Sequence, residues 1–227
     1  MDYVVVSLGG SILVPGENDG KRILEIAQLM RSLSKEYRLV LVCGGGKVAR
    51  YYISTARELG ASREQQDELG IEVTRMNAKL LQLALGQDAF GSIPRSVEEA
   101  VREARKGNIL VMGGTVPGHT TDAVSALVAE GLKAKRIVNA TSVDAAYSSD
   151  PKSNKEAVRF ERLTHQQLYE LVDKGSHSAG PSDIFDRKGA ESALRSRIPI
   201  YIVNGRDLEE LKAAIRGEKI KGTVVGD

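Results

Sequence analysis

Residues 109–122, ILVMGGTVPGHTTD, run from four apolar residues into two glycines, a Pro-Gly turn and paired threonines. A short unbroken apolar run that ends in a Gly-rich turn reads as a strand buried on both faces of a parallel sheet, leading into a βα loop. The same order recurs along the chain. Val4-Val5-Val6 lead to Gly9-Gly10-Ser11, residues 39–43 to Gly44-Gly45-Gly46-Lys47, and residues 136–139 to Thr141-Ser142-Val143-Asp144. Residues 200–203 form a fifth run, and residues 222–225 suggest a closing strand. Between them, Ile23, Ile26, Ala27, Met30 and Leu33 fall at helical spacing, as do Ile71, Ala78, Leu81 and Leu85, and Val124, Leu127, Val128 and Leu132. Strands alternating with amphipathic helices imply right-handed crossovers and an α/β fold. The polar stretch 147–156 reads as a long loop, and no linker divides the chain, so a single domain over residues 1–227 is expected.

Composition narrows the function classes. The 227 residues carry 32 basic and 30 acidic side chains, a net charge of +2, which argues against a nucleic-acid or polyanion binder. No apolar run approaches the ~18 residues a membrane helix needs. The opening MDYVVVSLGGS lacks the basic start of a secretion signal. One cysteine, Cys43, excludes an internal disulfide and suits a reducing cytoplasm, and three scattered histidines offer no zinc set. A cytoplasmic protein with no nucleic-acid or membrane partner is expected.

The chemistry is expected at the strand ends, because ligands of open parallel sheets sit outside the carboxyl edge. Glycines there let backbone N–H groups approach a phosphate, and the following helix N-terminus adds donors and a favourable dipole. A single such loop is as readily a plain turn; three converging on one edge point to phosphates. The Walker pattern fails at Lys47, because its first glycine would fall on Leu41. Gly44-x-Gly46-x-x-Ala49 fits the dinucleotide fingerprint, but the acids that follow, Glu64, Asp67 and Glu68, do not end a strand.

The motifs SLGGS, CGGGKVAR, DELGIEVTRMNAKLL, MGGTVPGHTTDAVSALVAE and TSVDAAYSSDP together resemble the amino-acid kinase superfamily, and within it the archaeal type of uridylate kinase. The resemblance implies a three-layer αβα sandwich around a mainly parallel sheet. It also implies transfer of the γ-phosphoryl of ATP to UMP with Mg²⁺, in a homohexamer built from dimers and serving pyrimidine nucleotide synthesis. An N-terminal lobe of about residues 1–135 would bind mainly UMP, and a C-terminal lobe of about 136–227 mainly ATP. A related kinase for a small acceptor such as isopentenyl phosphate, or a silent nucleotide-binding protein, are the alternatives.

Residue by residue, the resemblance assigns Gly9, Gly10, Ser11, Gly45, Arg50, Thr141, Tyr147 and Asp150 to ATP. It assigns Gly44, Asp67, Thr115, Val116, Pro117, Gly118, His119, Thr120 and Thr121 to UMP. Lys47 and Asp122 are the catalytic candidates. Lys47 stands at a helix start, where a cation opposes the macrodipole unless an anion is bound. Asp122 reads equally as a first-turn acid or as the group that orients a cation or Mg²⁺, and either Thr120 or Thr121 suits an N-cap. No protein metal ligand is assigned, Mg²⁺ being expected on the nucleotide phosphates. Two positions depart from the pattern: Ser7 where many relatives carry lysine, and Ala145 where glycine is common. Asp183, Asp186 and Lys188 are placed near the ATP phosphates without an assigned role.

Overall fold

The computed structural model describes residues 1–149, 151, 154–175 and 185–227. In chain order the elements are β1 (Tyr3–Leu8), α1 (Gly10–Leu13), α2 (Asp19–Leu33), β2 (Arg38–Cys43), α3 (Gly46–Glu58) and α4 (Arg63–Leu85). They continue with α5 (Val97–Ala104), β3 (Ile109–Met112), α6 (Thr121–Leu132), β4 (Arg136–Thr141), β5 (Ala146–Tyr147), β6 (Arg159–Phe160) and β7 (Arg162–Leu163). Last come α7 (His165–Gly175), α8 (Arg187–Ser196), β8 (Ile200–Asn204), α9 (Leu208–Arg216) and β9 (Thr223–Val225).

One sheet of order β3-β2-β1-β4-β8-β9-β7 runs through the molecule. Its first five strands are parallel, and β9 lies antiparallel to β8. Those five are the five apolar runs of the sequence. Their side chains alternate between two cores. Val4, Val6 and Leu8 face Met30 of α2, Leu81 of α4 and Ile215 of α9. Val5, Val42 and Met112 face Val124 and Val128 of α6 and Ala193 of α8. Both faces are therefore covered by helices, which is why the strands are predominantly apolar, with Ser7, Arg136 and Asn139 as buried exceptions. Each buried Val or Leu contributes about 1.5–3 kcal/mol. The stretch read as a loop from residue 147 begins instead in β5, which pairs Ala146 and Tyr147 with Phe160 and Arg159. Two-residue strands are too short to leave a periodic signal.

The carboxyl ends of β1 and β2 set the geometry that follows. Leu8 and Cys43 are in register, and the ladder extends beyond them through Gly44 N to Leu8 O (2.8 Å) and Gly9 N to Ala140 O (2.9 Å). The two glycine loops then lie backbone on backbone. A Cβ on Gly44 would stand 2.6 Å from the Gly10 nitrogen, and one on Gly46 would stand 2.7 Å from the Gly10 carbonyl carbon. Gly46 also holds φ +64°. A methyl at Gly10 would intrude on the Gly46 backbone, and backbone cannot rotate aside as a side chain can. Gly10→Ala is therefore expected to destabilise the fold by about 1–3 kcal/mol, the usual cost of overpacking. Denaturant titration measures this, and a wild-type midpoint would refute the close packing.

Candidate active site

The loops after β2 and β3 meet the N-termini of α3 and α6 around a cleft of about 390 Å³. It is lined by Gly45, Gly46 and Arg50 from one side and by Gly118, His119, Thr120 and Thr121 from the other, with Asp67 and Thr74 of α4 between. Donors from two helix starts thus point into one space, the arrangement suited to a phosphate. Gly45 and Arg50, assigned above to ATP, line the same cleft as the residues assigned to UMP.

Helix α4 holds this site together. Its start is fixed by a capping box in which the Ser62 side chain accepts from Gln65 N and the Gln65 side chain accepts from Ser62 N. Asp67 Oδ2 accepts from Gly118 N at 2.8 Å. Further along, Thr74 Oγ1 accepts from Gly114 N (2.6 Å), Arg75 Nη2 donates to Thr115 O (3.1 Å), and Asn77 Nδ2 donates to Gly44 O (2.8 Å). One helix therefore sets the positions of the loops after β2 and β3. The sequence reading missed Thr74, Arg75 and Asn77. The signal was there: Thr74 falls within the apolar stripe of Ile71, Ala78, Leu81 and Leu85, and Thr74 and Asn77 are both buried. A polar side chain on a core-facing stripe needs a partner.

The loop over residues 115–121 retains unmet hydrogen-bonding capacity. Thr115 Oγ1, His119 Nδ1 and the neighbouring Arg75 Nε are buried without a partner. Leaving such a group unsatisfied costs about 1–3 kcal/mol, so these atoms fit a polar ligand. Val116 and Pro117 are exposed at the loop tip. Thr120 is the N-cap of α6, its Oγ1 accepting from Ala123 N at 3.2 Å, while its hydroxyl donates to Asp186.

Asp122 follows in the first turn of α6. Its carboxyl is desolvated although the residue as a whole keeps some exposure. Burial and the nearby Asp186 charge raise its pKa to about 7, against the hydrogen bond from Ser7, which lowers it. Ser7 Oγ donates to Asp122 Oδ1 at 2.9 Å. The serine that replaces a lysine is thus a buried partner of the central carboxylate. Ala145 is buried and is not among the positive-φ residues, so that departure brings no backbone strain.

The remaining candidates surround this centre. Lys47 is exposed in the first turn of α3 and, among the described residues, makes no hydrogen bond or ion pair. Ser11 borders a separate depression of about 420 Å³ that also carries Lys21, Arg22 and Arg206. Thr141 ends β4, its carbonyl accepting from Gly205 N at 2.9 Å. The Tyr147 hydroxyl meets the Asp144 carboxylate at 3.1 Å, and burial with that carboxylate raises its pKa. Asp150 and Asp183 lie outside the described residues. Among the described residues no three His, Cys, Asp or Glu side chains group to hold a metal. Asp122 and Asp186 form a like-charged pair, which suits a hard cation held mostly by phosphate oxygens.

Comparison with known proteins agrees with this geometry. Residues 2–204 match the model of the amino acid kinase family. A uridylate kinase of Methanobrevibacter smithii is 42% identical over 98% of each chain. One of Archaeoglobus fulgidus is 44% identical over 98% of this chain and 99% of its own. The crystal structure of uridylate kinase from Archaeoglobus fulgidus superimposes with a TM-score of 0.88 over the whole of both chains, at 43% identity. The UMP kinase of Bacillus anthracis, at 24% identity and a TM-score of 0.80, shares the fold. With its parallel sheet, its glycine loops and its near full-length likeness to the archaeal enzymes, the chain belongs to the uridylate kinases of the amino acid kinase family.

Proposed function

We propose that the protein transfers the γ-phosphoryl of ATP to UMP, giving ADP and UDP, as a cytoplasmic step of pyrimidine nucleotide synthesis. The observation that carries this is the cleft where Gly118, His119, Thr120 and Thr121 stand opposite Gly45, Gly46 and Arg50, with Asp67 between them and His119 Nδ1 unpartnered. A uridine monophosphate fits that donor set: phosphate on the loop and the α6 N-terminus, ribose hydroxyls on Asp67. A carboxylate accepts from two hydroxyls without supplying a competing donor. No observation favours the smaller isoprenoid acceptor, whose apolar tail has no use for Asp67.

In the reaction a UMP phosphate oxygen forms a bond to the γ-phosphorus while the bond to the β–γ bridging oxygen breaks and its electrons leave with ADP. The acceptor is already an anion, so no base is required, and His119 serves as a loop contact. What the protein supplies is position and charge. Gly9, Gly10 and Ser11 offer backbone and hydroxyl donors to the ATP phosphates. Gly44 and Gly45 separate the two nucleotides, and Lys47 and Arg50 bring cations from α3. Thr141 and Tyr147 face the adenosine. A Mg²⁺ ion carried on the nucleotide phosphates would neutralise part of their charge, and Asp122 and Asp186 are the carboxylates that would face it. Residues 1–135 then serve mainly the acceptor, and 136–227 mainly the donor.

A homohexamer is part of the same proposal. Tyr51, Tyr52, Leu59, Met76, Leu80 and Leu83 crowd the outer side of α3 and α4, with Leu59 82% and Leu83 68% exposed. Apolar residues gathered in this way mark an interaction surface. Light scattering should give a hexamer that Leu83→Glu breaks down, and a monomeric wild type would exclude it.

Kinetics provides the main test. ADP release with Mg-ATP should be well above background for UMP and far lower for CMP, AMP or isopentenyl phosphate. Lys47→Ala should lower kcat by at least about a hundredfold, as loss of one group on developing charge does, while UMP still binds. Equal turnover of all acceptors, or full activity of the variant, would contradict the assignment.

Asp122 supplies an independent check. Its pKa is 3.8 without perturbation and about 7 in the fold. Between those values the native state holds a proton that the unfolded chain has released. The associated stability is complete below pH 3.8 and is lost as pH rises through about 7. Asp122→Asn lacks this dependence, so ligand-free melts should show the variant gaining on wild type from pH 4 to pH 8. A constant difference across that range would contradict the desolvated carboxyl.

A further inference from the structure

The backbone of Gly118 is held from two directions. Its N–H donates to Asp67 Oδ2 on α4 at 2.8 Å, and its carbonyl accepts from Lys188 Nζ on α8 at 2.9 Å. Gly118 itself stands at φ +76°, the turn of the loop. Lys188 comes from the first turn of α8, where a cation opposes the helix dipole. Its neighbour Arg187 is compensated there by Asp173 at 3.0 Å and Glu191 at 3.2 Å. Among the described residues Lys188 has no carboxylate partner; its bond goes to the Gly118 carbonyl.

The start of α8 is itself firmly seated. Phe185 is fully buried, and Asp186 caps the helix by accepting from Gly189 N at 3.0 Å. Farther along, Ser192 and Arg195 bind Glu130 of α6 at 2.9 and 2.8 Å. Lys188 therefore projects from a fixed base onto an exposed loop. That loop has no sheet ladder of its own between Val116 and Thr120.

We infer that Lys188 is a positioning residue for the acceptor: by bonding the Gly118 carbonyl it fixes the 115–121 loop from the C-terminal half of the chain. Asp67 fixes the same residue from the N-terminal half. The two residues tie together the parts of the chain on either side of the cleft, through the segment that faces the acceptor phosphate. This rests on the uridylate kinase reading for its kinetic consequence, but the tether itself exists without substrate.

Two measurements separate those levels. In the ligand-free protein, Lys188→Ala should speed amide hydrogen exchange across residues 115–121 by about tenfold, the factor matching loss of one charged hydrogen bond of ~1.4 kcal/mol. The melting temperature and the exchange of α2 and α9 should not change. In the assay the same variant should raise KM for UMP by about tenfold while KM for ATP and kcat stay within about twofold. Lys188→Arg, which keeps a donor in reach, should restore most of it. Unchanged loop exchange would overturn the tether. Unchanged KM for UMP in an enzyme whose wild type is active would overturn its role in acceptor binding, as would equal increases in both KM values. A wild type that does not phosphorylate UMP would sink the kinase reading instead, and exchange would still decide the tether.

Discussion

Everything at this site depends on two stretches of backbone being allowed to touch. Parallel strands β1 and β2 end in register, and the chain leaving each must turn into a helix at the same level. With side chains present the two turns would collide, and the helices would start farther apart. Gly10 against Gly44 and Gly46 removes that obstacle. As a result α1 and α3 begin beside one another, their entering turns in direct backbone contact. The glycines are thus required by packing, whatever else they do.

The second constraint is electrostatic. A carboxyl placed in the first turn of α6 would ordinarily be stabilised by the helix dipole. Here desolvation and the charge of Asp186 outweigh that, as the pKa of about 7 records. The pair is poorly arranged for the ligand-free protein and well arranged for a state in which cationic charge enters with the nucleotides. Ser7 fits this balance. Its hydroxyl supplies one hydrogen bond to Asp122 without the full charge a lysine would bring.

Much of this was legible in the sequence, for physical reasons. Strands covered on both faces are apolar at most positions, so five of them announced themselves as runs rich in Val, Ile and Leu. The loops followed because turns that approach a ligand or each other need glycine. The motif GGTVPGHTTDA, residues 113–123, pointed through resemblance to the family that the comparisons show. What stayed hidden depends on contacts between residues distant in sequence. Thr74 reaches Gly114, Asn77 reaches Gly44, Ser7 reaches Asp122 across 115 residues, and Lys188 reaches Gly118 across 70. Strands β5, β6 and β7 were silent because two residues cannot express a period.

The central claim is that the acceptor nucleotide occupies the cleft between α3, α4 and the 115–121 loop. A crystal structure of the protein soaked or grown with UMP tests it most directly. The account expects the phosphate against the backbone and hydroxyls of Thr115 to Thr121 and the ribose hydroxyls on Asp67, with the Thr115 and His119 atoms no longer unpartnered. UMP found instead beside Tyr147 and Asp144, with the cleft still holding only solvent, would contradict it.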